Sequence, residues 1–179
     1  MKTGTDTAQA GQNDQVQGFA PVAAPGARVL VLGSMPGVAS LRQARYYAHP
    51  RNAFWPIAAS VLGFDSGLDY AGRLQALQAS GVALWDVLQA CERPGSLDAD
   101  IRNHTLVTND FATFLSRHPA IVRVCFNGAK AAALYRRHVL PGLAVRLEYL
   151  DLPSTSPAHA AASYDEKLAA WGRALKIQD

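Results

Sequence analysis

Residues 1–17 (MKTGTDTAQAGQNDQVQ) are polar positions with no apolar period, and a disordered tail is expected there. Residues 18–26 read as an extended lead-in, with Phe19 pinning it to the domain. Residues 28–32 (RVLVL) form a continuous apolar run that stops at Gly33, the pattern of a strand buried on both faces at the centre of a parallel sheet. A helix is predicted over 54–62, opened near Asn52 and stopped by Gly63, and a second over 68–79 with Leu74 and Leu77 on one face. A short buried strand over 82–85 ends at Asp86, and 91–98 is a breaker-rich loop on the same edge. A short helix is predicted over 110–117, a third strand over 121–126 and a helix over 129–139 that exposes Lys130, Arg136 and Arg137. The pattern then gives a fourth strand over 143–150, a loop over 151–157 and an amphipathic helix over 163–177. Strands alternating with helices argue for an α/β fold, a parallel sheet covered by helices on both faces.

On that reading the polar clusters follow the carboxyl ends of strands, the edge where open α/β sheets place their ligands. Gly33-Ser34-Met35-Pro36-Gly37 is a tight turn after the first strand. Residues 46–55 (YYAHPRNAFW) gather aromatic, cationic and amide side chains, which are costly to hold in one loop unless they are paired there or meet a ligand. One edge would collect Ser34, Tyr47, Asn52, Asp86, Asn127 and Ser154.

Composition narrows this further. With 179 residues, 49% of them hydrophobic and 17% charged, the chain suits one soluble domain, and a net charge of +3 fits a polyanionic partner. Two distant cysteines, Cys91 and Cys125, suggest neither a disulfide framework nor a zinc site. No GxxxxGK[ST] or GxGxxG loop, HExxH pair or GxSxG elbow is present, so neither a cofactor nor a metal is expected. No apolar stretch is long enough to span a bilayer and no signal-peptide core is present, so a cytoplasmic protein without membrane contact is expected.

Five segments, in order, carry a resemblance: Gly33–Gly37, residues 46–55, residues 81–88 (GVALWDVL), Phe126-Asn127-Gly128 and residues 152–158 (LPSTSPA). Together they resemble the uracil-DNA glycosylase superfamily, most closely its hypoxanthine-DNA (deoxyinosine) glycosylase branch. The resemblance covers nearly everything after about residue 18. It implies a three-layer α/β/α fold with a short central four-stranded parallel sheet. It also implies hydrolysis of the N-glycosidic bond of a deaminated base flipped out of DNA.

Carried over residue by residue, the resemblance makes Tyr47 the ring that stacks on the flipped base and Tyr46 a core residue. Relatives commonly hold an Asn or Asp in the second or third slot of the first-strand turn; Ser34 and Met35 stand there, and the hypoxanthine branch shares that lack. Asn52 is the nearest amide and the candidate to hold the attacking water, with a helix N-cap as its other reading. Asp86 stands where uracil enzymes read the base edge with Asn; buried and protonated, it could donate as well as accept. Its other reading is a cap on the following turn, and where Asn52 only caps, Asp86 is the catalytic candidate that holds the water. Asn127 offers a donor and an acceptor matching O6 and N1–H of hypoxanthine, or else is a turn residue. Ser34 and Met35 complete the base pocket. Ser154, Thr155 and Ser156 form the loop that pinches phosphates, and no His opens that motif, which argues against a uracil specialist. Arg42, Arg45 and Arg51 make a basic run for phosphate, or singly a solvated face. His49 would order its loop. No lysine suggests Schiff-base chemistry.

The expected partner is DNA containing deaminated bases, bound by a monomer without a cofactor. Two alternatives stand beside this: a uracil or mismatch glycosylase of the same fold, and a non-catalytic DNA- or nucleotide-binding α/β domain.

Overall fold

In the computed structural model, residues 14–176 are described. In chain order they form β1 (Gln15–Gln17), β2 (Val29–Gly33), α1 (Val38–Gln43), α2 (Phe54–Leu62), α3 (Tyr70–Ala79), β3 (Val82–Asp86), β4 (Leu88–Glu92), β5 (Val107–Thr108), α4 (Phe111–Arg117), β6 (Arg123–Asn127), α5 (Ala129–His138), β7 (Glu148–Leu152) and α6 (Tyr164–Leu175).

The main sheet runs β3-β2-β6-β7, every pair parallel. Strand β2 is buried at all its positions because it has a neighbour on each edge and helices on both faces. Side chains alternate across it. Val29 and Val31 pack with Phe54, Ile57, Leu77 and Trp171 from α2, α3 and α6. Leu30 and Leu32 face the opposite way, with Phe111, Phe114 and Tyr135 from α4 and α5. The expected three-layer α/β/α arrangement and four-stranded parallel sheet are therefore observed.

Local signals set most boundaries. The α2 helix stops at Gly63, which takes φ +77°. Asp69 caps α3 by accepting from Gly72 N, so the helix begins at Tyr70 rather than at residue 68. A capping box of Ser163 and Glu166 opens α6, whose last described turn ends at Leu175. Phe19 pins the lead-in as expected, its ring edge-on to Tyr46 and its carbonyl accepting from Trp85 Nε1. The last strand is shorter and later: β7 is Glu148–Leu152, beginning five residues after and ending two residues after the 143–150 span that the alternation suggested.

A second sheet is absent from the sequence reading. Strand β4 lies between β1 and β5 in a small antiparallel sheet. This corrects two expectations. Residues 15–17 are a strand rather than part of a disordered tail, with Val16 buried at its centre; residues 1–13 lie outside the described residues. Residues 91 and 92, expected as loop, end a strand whose partners are distant in sequence. The short helix α1 was not foreseen either: six residues after a Gly-Pro-Gly turn carry too little periodicity to read.

Candidate active site

The carboxyl ends of β2, β3, β6 and β7 open into a cleft of about 710 Å³. Ser34, Tyr47, Asn52, Asp86, Asn127 and Ser154 all line it, as do Met35, Arg51, Thr155 and Ser156. Tyr46, Tyr47, His49 and Asn52 also line a neighbouring groove of about 590 Å³, so the 46–52 loop is the partition between the two.

Asp86 forms the floor. It ends β3 opposite Gly33 of β2, and a Cβ on Gly33 would stand 2.5 Å from Asp86 Oδ1. Only a residue without a side chain lets the carboxyl lie there. Asp86 is 4% exposed, and its Oδ2 has no hydrogen-bond partner. Burial, and then the charge of Asp98, push its pKa up to about 7 against the lowering by Arg93. Its carboxyl caps nothing, because the chain continues directly into β4 rather than a helix, so the capping alternative does not hold.

Tyr47 sits at φ +54°, a conformation an L-residue adopts only when its surroundings hold it there. Its ring lies 4.2 Å from that of Phe54. Its hydroxyl is buried, without a hydrogen-bond partner, and would be 3.7 Å from a Cβ on Gly33. Burial, then the charge of Asp86, raise its pKa, with a smaller lowering from Asn127. Tyr46 is the core residue expected: it is buried and donates to Ala20 O.

Asn52 makes the bond that its helix-start reading implies. Its Oδ1 accepts from Phe54 N at 2.9 Å, although the helix N-cap itself is Ala53. That bond orients the amide and takes one of two carbonyl lone pairs. The other lone pair and the Nδ2 donors remain for the cleft. His49 orders the same loop by accepting from Arg51 N.

Asn127 is clamped to the facing loop. Thr155 N donates to its Oδ1, and its Nδ2 donates to Thr155 Oγ1, both at 2.8 Å. Thr155 is 1% exposed, so it holds the 154–156 loop in place rather than offering its hydroxyl to a backbone phosphate. Ser154 and Ser156 face the cleft, their hydroxyls accepting from Ser156 N and Ala158 N. Met35 lines the cleft but packs mainly into the core below it.

The arginine run divides. Arg51 lines the cleft, whereas Arg45 lines the neighbouring groove with its guanidinium 5.4 Å from the Tyr70 ring centre. Arg42, exposed in the last turn of α1, lines neither.

Sequence reading missed the opposite wall. Arg93 is 2% exposed, and its guanidinium donates to Pro36 O at 2.5 Å, Gly95 O at 3.0 Å and Met35 O at 3.5 Å. Ser34 Oγ donates to Asp98 Oδ1 at 2.5 Å. Burial raises the pKa of Asp98, while the bond from Ser34 and the charges of Arg93 and Lys130 lower it. Lys130, expected to be exposed, is half-buried and lines the cleft from the first turn of α5. The breaker-rich loop after β4 was placed on this edge, but nothing in its pattern marked Arg93 as buried.

Among the described residues there is no group of three or more acidic, His or Cys side chains arranged to hold a metal, and no helix long and apolar enough to cross a membrane.

A parallel sheet between helices, with an aromatic partition and a polar floor at its carboxyl edge, defines an α/β domain with a polar, aromatic-walled cleft. The chain belongs to the uracil DNA glycosylase superfamily, whose model matches residues 20–175. Two proteins named hypoxanthine DNA glycosylase are similar to it. That of Methanosarcina barkeri is 39% identical over 116 residues, 64% of this chain and 72% of its own. That of Methanosarcina acetivorans is 33% identical over 144 residues, 80% and 87% of the two chains. A solution structure of a candidate uracil DNA glycosylase from Methanosarcina acetivorans superposes with a TM-score of 0.77 at 31% identity, covering 90% of this chain and 96% of that one.

Proposed function

We propose that this protein is a monofunctional DNA glycosylase that hydrolyses the N-glycosidic bond of deoxyinosine and releases hypoxanthine. One observation carries the reading: Asp86 Oδ2 is buried without a partner at the floor of the cleft, its carboxyl lying against Gly33. Leaving a polar atom buried and unpaired costs about 1–3 kcal/mol, a cost the edge of an inserted base would remove. The hypoxanthine DNA glycosylases among the relatives support the choice of base.

The extruded base lies on the face of Tyr47 that Phe54 does not cover. Protonated Asp86 donates to the O6 carbonyl, where negative charge grows as the glycosidic bond breaks. Ionised Asp86 would oppose that charge, so the protonated form is the active one. Asn127 presents its remaining donor and acceptor in a fixed orientation, because Thr155 prevents the amide from turning over. Asn52 holds the water that attacks C1′ of the oxocarbenium-like sugar through its free carbonyl lone pair. Arg51, Ser154 and Ser156 take the flanking phosphates, and Arg42 and Arg45 meet the strand further out.

The test is a panel of duplexes carrying hypoxanthine, uracil or xanthine, read for free base and for strand scission before and after alkali. Hypoxanthine should be released fastest, leaving a strand that breaks only after alkali treatment. Uracil released faster would favour the uracil reading, and binding without release would make the domain a non-catalytic DNA binder.

A further inference from the structure

The 46–52 loop has a second side. There lies the groove of about 590 Å³, which shares Tyr46, Tyr47, His49 and Asn52 with the cleft. It holds a two-layer stack, the Arg45 guanidinium over the Tyr70 ring at 5.4 Å. Tyr70 is fixed beneath: its hydroxyl accepts from Tyr46 N at 2.9 Å, and its ring stands edge-on to Trp55. Arg45 is exposed, and among the described residues no acceptor takes a hydrogen bond from its guanidinium. Arg73, the other arginine of the groove, differs: its guanidinium is tied to Leu68 O and Ser66 O.

A phosphate contact needs only the charge. A guanidinium laid over a fixed ring also leaves one face for a further π system, and its edge N–H groups for a phosphate beside it. The surrounding charge agrees. Arg45 and Arg73 stand against Asp69, whose Oδ1 already accepts from Gly72 N. His49 accepts from Arg51 N through Nδ1, so its neutral ring carries the proton on Nε2, a further donor in the shared loop. Cation, aromatic ring and donors together suit a nucleotide. A base within a duplex is already stacked and paired, so the nucleotide that enters is an unpaired one.

We propose that this groove binds the base of a nucleotide flanking the extruded one on the same, locally unpaired strand, stacked on the Arg45–Tyr70 platform. This rests on the reading of the cleft as the pocket for the extruded nucleotide, since the shared loop sets an occupant of the groove beside it. Because Tyr70 is held in place before any ligand arrives, little freedom is lost when the base docks.

The test uses the full chain and single-stranded oligonucleotides with one deoxyinosine. Each neighbouring nucleotide is replaced in turn by an abasic tetrahydrofuran, and affinity is read by fluorescence anisotropy. Stacking one base is worth roughly a five- to hundredfold change in affinity. With the wild-type protein, one flanking position should lose about that factor when its base is removed. Arg45→Ala should weaken binding of the intact strand by a similar factor, and the same abasic replacement should then cost less than about twofold. Arg45→Lys keeps the charge without the plane, so it should keep the wild-type salt dependence yet lose the dependence on that base. The proposal is overturned if no flanking base matters to the wild-type protein. It is overturned too if the same base matters equally to Arg45→Ala, as a merely structural loss would leave it, or if Arg45→Lys retains the base dependence, which would make Arg45 a phosphate contact only. Release of hypoxanthine from the same strand is scored separately and tests the cleft, because affinity reports the groove even where no base is released.

Discussion

The 33–52 wall of the cleft and the 88–98 wall meet where Ser34 donates to Asp98, yet they are built by different rules. The first is local. A buried strand runs into a glycine turn and an aromatic loop, where Phe54 N to Asn52 Oδ1 and Arg51 N to His49 Nδ1 join near neighbours. The second is assembled from a distance. Strand β4 is held between β1, near the start of the described residues, and β5, and Arg93 reaches back to the first wall's carbonyls 57 and 58 positions away. The local wall carries Tyr47 and Asn52, the groups proposed to meet the base and the water. The assembled wall holds that turn in place and sets the charge on its floor. Chemistry and support are thus separated, and removing each should fail differently.

The largest effect is expected on the local wall. Asn52→Ala should lower excision by two to three orders of magnitude, as for loss of an oriented dipole at the reacting centre. It should also cost about 0.5–2 kcal/mol of stability, because Phe54 N loses its acceptor. Asn52→Ser keeps an acceptor for Phe54 N but not the planar amide, so it should remain stable, bind DNA and be nearly inactive. Near wild-type turnover by the Ser variant would reduce Asn52 to a helix-start residue.

Arg93→Met should act on stability first. It leaves three carbonyls in or near the turn without their donor, a loss of about 3 kcal/mol by denaturant titration. A stable variant with normal activity would show that the two walls do not depend on each other.

The smallest change is a movement of the pH profile. With Asp86 raised to about 7 and acting in the proposed protonated form, excision should fall as pH rises through that range. Asp98→Asn keeps an acceptor for Ser34 but removes a negative charge that raises the Asp86 pKa, so the alkaline limb should move to lower pH. Arg93→Met removes the opposing positive charge, so its limb should move to higher pH. Tyr46 and Tyr47 are held protonated by burial across the working range. Limbs that move together, or not at all, would exclude Asp86 as the group controlling the profile.

Much of this molecule follows from the order of its residues alone. The apolar run into Gly33 determines a buried central strand, and Phe54–Leu62 has helical period and a glycine stop. The polar groups after each strand follow the sheet to one edge, which is why the cleft residues could be named before their geometry was seen. Period and punctuation are local properties, and a sequence displays them directly. Tertiary structure decided the rest. Whether Asn127 is free to turn and which arginine reaches the cleft depend on partners many positions away. Gln15–Gln17 becomes a strand only because β4 offers it an edge. Arg93 is buried only because the turn after β2 exposes carbonyls to it. The pKa of Asp86 belongs to no residue by itself; it is set by burial and by two charges that the fold brings beside it.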